Sequence, residues 1–317
     1  SHTIDVELDD ERHTLEGVSY IEYTNNSDTD LGFIWFHLWP NAYKNNSTAL
    51  CKQKVENGST ALFYAKESER GHISDLDFKV NGKMVRWDYH PEHIDICKLI
   101  LNKPVKAGET VYISTPFTVK IPDAKFSRLG HIGQSYMITQ WYPKPAVYDN
   151  NGWHIMPYLS QGEFYSENGS FDVSITLPNN YTVGSTGDLQ NKSEIERINL
   201  LSEISDTITN FGTDMSFPKS EETKKTIRYI QKNIHDFGWF ADKRYHILQG
   251  SVELPYSGRK VYLYTMFTNN EAHLWKNSIE YMRDAIYYYS LWNGDYPFNH
   301  CTAVDGTIAA GGGMEYP

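Results

Sequence analysis

A chain of 317 residues is long enough for two domains and a sizeable core. Its 40% hydrophobic and 22% charged residues exclude a disordered chain. The formal net charge of −11 opposes phosphate backbones, so no nucleic-acid partner is expected, and no run approaches the roughly 18 apolar residues of a membrane span.

The segment Asp5-Val6-Glu7-Leu8 opens as a strand. Leu76, Phe78 and Val80 alternate with polar residues and run into Asn81-Gly82, a hairpin signal because both positions tolerate positive φ; Val85 and Trp87 resume beyond it. Ala107-Gly108 precedes a run from Val111 to Ile121. Pro116 interrupts that run without a backbone N–H, which predicts an edge strand, a bulge or two separate strands. Phe171, Val173, Ile175 and Leu177 alternate with Asp172, Ser174 and Thr176, the period of a half-buried strand. Many short strands with turn signals predict a large antiparallel sandwich or open barrel.

A short helix is expected within 199–209. The stretch 223–234 is ambiguous: Ile227, Ile230 and Ile234 fit a helix, whereas Ile227 and Tyr229 fit a strand. A strand is expected at 261–267. The clearest helix is 271–292, where Ala272, Trp275, Ile279, Met282, Ile286 and Tyr289 form one apolar stripe, read as a core face. Asn269 or Asn270 is the expected N-cap, and Gly294 lies where a left-handed residue ends a helix.

Few residues outside the last nine suggest chemistry. Cys51, Cys97 and Cys301 are far apart and odd in number, so at most one pair bridges and no disulfide framework or C-x-x-C site is expected. His90-Pro91-Glu92-His93 with Cys97 is the one local cluster of ligand types, and its proline and β-rich surroundings favour an ordinary loop. His154 and Glu163 have the types of an acid–base pair but read more simply as a surface pair. Neither a G-x-S-x-G elbow nor a P-loop occurs. Ala309-Ala310-Gly311-Gly312-Gly313-Met314-Glu315-Tyr316-Pro317 lets a second backbone approach the glycines beside a carboxylate. Composition alone favours a glycine turn followed by a solvated Glu.

Gly312-Gly313-Met314-Glu315 resembles the G-x-M-E-N exopeptidase motif of gluzincin zinc aminopeptidases, the family of membrane alanyl aminopeptidase and leukotriene hydrolase. The order of strand, long helix, Gly294-Asp295-Tyr296-Pro297-Phe298 and glycine motif is similar too. Phe36-His37-Leu38-Trp39-Pro40-Asn41-Ala42-Tyr43 resembles an early strand and turn of that family's first domain. Thr139-Gln140-Trp141-Tyr142-Pro143 falls where it carries T-Q-x-E, and His235-Asp236-Phe237-Gly238-Trp239-Phe240-Ala241-Asp242 resembles a late segment common in bacterial members.

The resemblance implies a mainly β protein with an α+β part. Residues 1–250 would form a large saddle-like antiparallel β-sandwich, and 251–317 the beginning of a thermolysin-like catalytic domain. The implied activity is zinc-dependent removal of N-terminal residues from peptides with a free N-terminus. Glu315 would bind the substrate α-amine, Gly312 and Gly313 would line the peptide beside Met314, and Gln140 would help hold the amine. Tyr316 stands at the motif's Asn, and Tyr142 at a polar position two residues after the Gln; both lie beside that implied amine site.

The family's zinc helix, H-E-x-x-H, is absent from the spacing of the 12 His. The expectation is therefore that this chain holds no zinc ligands or catalytic residues, binds no cofactor, is inactive alone, and needs the remainder of the catalytic domain as its partner. The other expectation, from a different class, is a non-catalytic peptide-, protein- or glycan-binding module on the same scaffold. The expected compartment is the periplasm or cell envelope, with the cytoplasm as the alternative.

Overall fold

The computed structural model describes residues 1–306 and 312–317, so Ala309, Ala310 and Gly311 of the glycine motif lie outside the described residues. The architecture is mostly β, as expected. Among the described residues, the largest sheet has nine strands. Its centre is His2–Asp9, paired antiparallel with Thr14–Thr24 and parallel with Gly169–Pro178. Ile4, Val6 and Leu8 are buried and the residues between them face out, so one face of this strand meets the core. Two four-stranded sheets, one containing Leu31–His37 and the other containing Ser135–Ile138, Trp239–Asp242 and Thr182–Ser185, share that core. Trp39, Trp141 and Trp239 are among its largest fully buried side chains.

The stretch 223–234 is a strand, Lys224–Ile234. Ile227 and Tyr229 lie opposite Ile175 and Val173, so pairing with Gly169–Pro178 selects the two-residue period over the helical one. Asn81 and Gly82 have φ of +50° and +74° and join Lys79–Val80 to Lys83–Met84. Pro116 splits nothing: Thr110–Lys120 is continuous. On one side Pro116 lies opposite Val18. On the other, the neighbours His72–Ser74 and Lys79–Val80 pair only with residues 118–120 and 113–114, so no ladder hydrogen bond is asked of the proline there.

The helix expected within 199–209 spans Lys192–Asp206. Its first turn carries the buried Glu194, whose carboxylate accepts from Lys225 Nζ at 2.7 Å and Arg197 Nη1 at 3.1 Å. At its other end Ser205 Oγ accepts from the Ile247 amide at 3.0 Å, tying the helix to a three-stranded sheet. That sheet comprises His246–Glu253, Lys260–Phe267 and His300–Val304, the last pair parallel. Residue 250, expected as a boundary, falls inside its first strand; the change of sheet lies between Asp242 and His246.

The long helix expected over 271–292 is broken. A short piece, Ala272–Trp275, precedes Ser278–Asn293. Trp275 stacks on Phe267 at 5.9 Å, and Ser278 Oγ is 3.0 Å from Thr265 Oγ1, so each piece is anchored separately to the same strand. Ile279, Met282 and Ile286 cover Val252, Leu254, Val261 and Leu263. Tyr289, counted in the stripe, is 64% exposed. Asn269 does not cap; its side chain engages His246 and the Asp214 carbonyl. Gly294 ends the helix with its N–H on Ser290 O; its φ of +97° is positive, as a glycine allows, but its ψ of 160° is not that of the expected left-handed cap.

Candidate functional site

The segment after Ser135–Ile138 is locked by its aromatic residues. Trp141 is buried between Phe117 and Trp239, and its indole N–H donates to Phe237 O at 3.0 Å. That bond brings Gln140 and Tyr142 against the Asp236-Phe237-Gly238 turn. Asp236 is 4% exposed and accepts from the Tyr142 hydroxyl at 2.8 Å, the Phe237 amide at 2.9 Å and Gln140 Nε2 at 3.3 Å. Lys144 Nζ lies 3.3 Å from the same carboxylate and is itself buried. Burial lowers the Lys144 pKa, and Asp236 opposes that shift. Burial, then the Asp236 charge, holds the Tyr142 hydroxyl well above its usual range.

The end of the chain docks on this turn. The Tyr316 hydroxyl donates to Gln140 Oε1 at 3.1 Å. Its ring passes Gly238 so closely that a Cβ there would stand 3.4 Å from Tyr316 Cγ. Burial raises the Tyr316 hydroxyl pKa. Between this tail, the strand end and bend at 184–187 and His300–Val304 lies a cavity of about 560 Å³. Gly312, Gly313, Met314, Glu315 and Tyr316 all line it. Glu315 is exposed there, and among the described lining residues there is neither Lys nor Arg. A lone carboxylate in such a cavity favours a cationic ligand.

Of the residues singled out from sequence, Gln140 and Tyr142 do not line the cavity. Gln140 is 4% exposed and covered by Tyr316; Tyr142 is 2% exposed and supports Asp236 from the core. Both therefore stand behind the cavity wall, because Trp141 and its neighbours draw this segment into the core. Sequence reasoning missed Asp236 as an individual residue, Lys144 and His300. The last bridges the two walls, with Nε2 2.7 Å from Gly187 O and Nδ1 3.1 Å from Thr302 Oγ1. Asp236 sat in a segment already singled out; Lys144 and His300 had no motif to mark them.

The other sequence candidates do not assemble. His154 pairs with Asp149 at 2.8 Å, not with Glu163. His90 and His93 stack at 5.1 Å, and all three cysteines are free. No group of three or more His, Cys, Asp or Glu is placed to hold a metal among the described residues, so they do not fit a zinc site. No helix among the described residues is long and apolar enough to cross a membrane.

Neither a family model nor a curated protein matches the sequence. Solved structures do match in fold. The M1 zinc metallopeptidase of Deinococcus radiodurans aligns with a TM-score of 0.56 at 12% identity, covering 96% of this chain and 55% of that one. A point mutant of that enzyme gives 0.57 at the same identity and coverage, and the mutant bound to a Tyr-Ser-Ala substrate gives 0.55. At this identity the likeness is one of fold: the chain has the β-rich architecture of M1 zinc metallopeptidases and spans about half the length of those chains.

Proposed function

We propose that this chain is the substrate-anchoring part of a zinc-dependent aminopeptidase of the gluzincin type, with zinc ligands supplied by residues outside these 317. The observation that carries the reading is Glu315, an exposed carboxylate with no Lys or Arg among the described residues around a cavity that Gly312 and Gly313 also line. A peptide α-ammonium leaving water needs an anion and further acceptors. Glu315 supplies the charge, and the two glycines, having no side chains, let the peptide backbone come close. Fixing the amine fixes which peptide bond lies one residue away, which is what makes a peptidase an exopeptidase. The domain division proposed with it is 1–250 for the β-sandwich and 251–317 for the beginning of the catalytic domain, a boundary that falls inside the strand His246–Glu253.

The test uses the full-length protein that contains this chain. It should hydrolyse alanyl-para-nitroanilide, lose activity to a chelator and regain it with zinc. The N-acetylated substrate should not be cleaved. Equal turnover of the acetylated and free-amine substrates would overturn the reading.

A further inference from the structure

Gln140 adopts φ +48°, a left-handed conformation that a non-glycine residue rarely holds without a structural reason. The two ends of its amide face different surroundings. Nε2 donates to Asp236 at 3.3 Å, and Oε1 accepts from the Tyr316 hydroxyl at 3.1 Å. Asp236 is ringed by donors: the Tyr142 hydroxyl, the Phe237 amide and the Lys144 ammonium. A carboxylate in that ring has only lone pairs to offer, so it decides which end of the amide it meets. The amide oxygen must then point outward, where it takes the Tyr316 proton. Tyr316 lines the cavity and its hydroxyl proton is committed to Gln140, so a donor that reaches this hydroxyl meets a lone pair and not a proton.

We propose that Asp236 is a positioning residue of the amine site. Through Gln140 it sets the direction of a hydrogen-bond chain that ends on Tyr316, so that a primary ammonium meets an acceptor oxygen as well as the Glu315 carboxylate. The inference rests on the amine-anchoring reading above. Gln140, buried and off the lining, is the relay. Lys144, 3.3 Å away, is the paired charge that a buried carboxylate at the root of the chain needs. With the carboxylate replaced by an amide, either end of Gln140 could face it, and the outward polarity would no longer be imposed.

The test compares variants in the full-length protein, on alanyl-para-nitroanilide. Asp236→Asn should raise KM by roughly tenfold, the loss of about one hydrogen bond to a charged group, with kcat changed far less. Gln140→Met cuts the relay without touching the Asp236–Lys144 pair and should do the same, so the proposal stays testable if Asp236→Asn does not fold. In the Gln140→Met background, a further Asp236→Asn should change KM by less than about twofold, because the path to Tyr316 is already broken. A Gln140→Met protein with wild-type KM, or an undiminished effect of Asp236→Asn in that background, overturns the proposal. Glu315→Gln separates the two claims. If it abolishes the preference for free over acetylated amines while Gln140→Met has no effect, the anchor stands and the relay falls. If Glu315→Gln leaves the preference intact, the anchoring reading fails and takes this inference with it.

Discussion

The Tyr316 hydroxyl donates to Oε1 of Gln140 at 3.1 Å, joining residues 176 positions apart. This contact holds the end of the described chain on the β-sandwich and closes one side of the cavity. Residues selected separately from sequence, Gln140, Tyr142 and Tyr316, belong to one network, but only Tyr316 reaches the cavity.

Gly184 sets the distance between the cavity walls. A Cβ added there would come within 2.8 Å of Val304 Cγ2 and 3.1 Å of Met266 Sδ. Gly184→Ala should therefore destabilise the protein by about 1–3 kcal/mol, the usual cost of overpacking. Urea unfolding measures it. An unchanged midpoint would show that the strands separate freely.

His37 predicts a pH effect. Burial first, and the Lys144 charge second, lower its pKa to about 3. Its Nε2 accepts from the Met156 amide at 3.3 Å. Because the unfolded chain takes up this proton at a higher pH than the folded one, stability falls as pH drops from about 6.5 toward 3, by at most ~1.4 kcal/mol per pH unit from this group. Asp95 acts in the opposite sense: burial raises its pKa to about 6, so it favours the folded state as pH falls from about 6 to 4. The contribution of His37 is therefore read as a difference. His37→Gln keeps an acceptor for Met156 and should lose less stability than wild type on acidification. Parallel stability–pH curves would remove His37 from the account.

The purified 317-residue chain is expected to retain well under one zinc and to leave aminoacyl anilides intact, since its described residues offer no ligand group. Elemental analysis and a turnover assay check this. Near-stoichiometric zinc that survives repurification would reveal a site built from other residues.

The β character was legible because Phe171, Val173, Ile175 and Leu177 alternate cleanly, and Asn81-Gly82 marks its own turn. The fate of 223–234 was not legible: what decides it is a partner strand some fifty residues away, which local periodicity does not contain. The break in the long helix has a similar origin, since Trp275 and Ser278 each anchor to the strand Lys260–Phe267. At the candidate site the glycines and Glu315 carried a recognisable spacing. Asp236 and Lys144 did not, because a buried ion pair is defined by the neighbours that enclose it and not by its position in the chain.

The central claim is that Glu315 anchors a substrate amine, and Glu315→Gln in the full-length protein tests it most directly. The side chain is exposed, so the unfolding free energy should move by no more than about 0.5 kcal/mol. Activity should respond much more. Loss of a hydrogen bond to a charged group should lower kcat/KM for free-amine peptides by roughly one to two orders of magnitude. The wild type should strongly prefer free over acetylated N-termini, and the variant should lose most of that preference. A folded Glu315→Gln protein with wild-type kcat/KM on free-amine peptides would contradict the account, and one that unfolds would make Glu315 a structural residue instead.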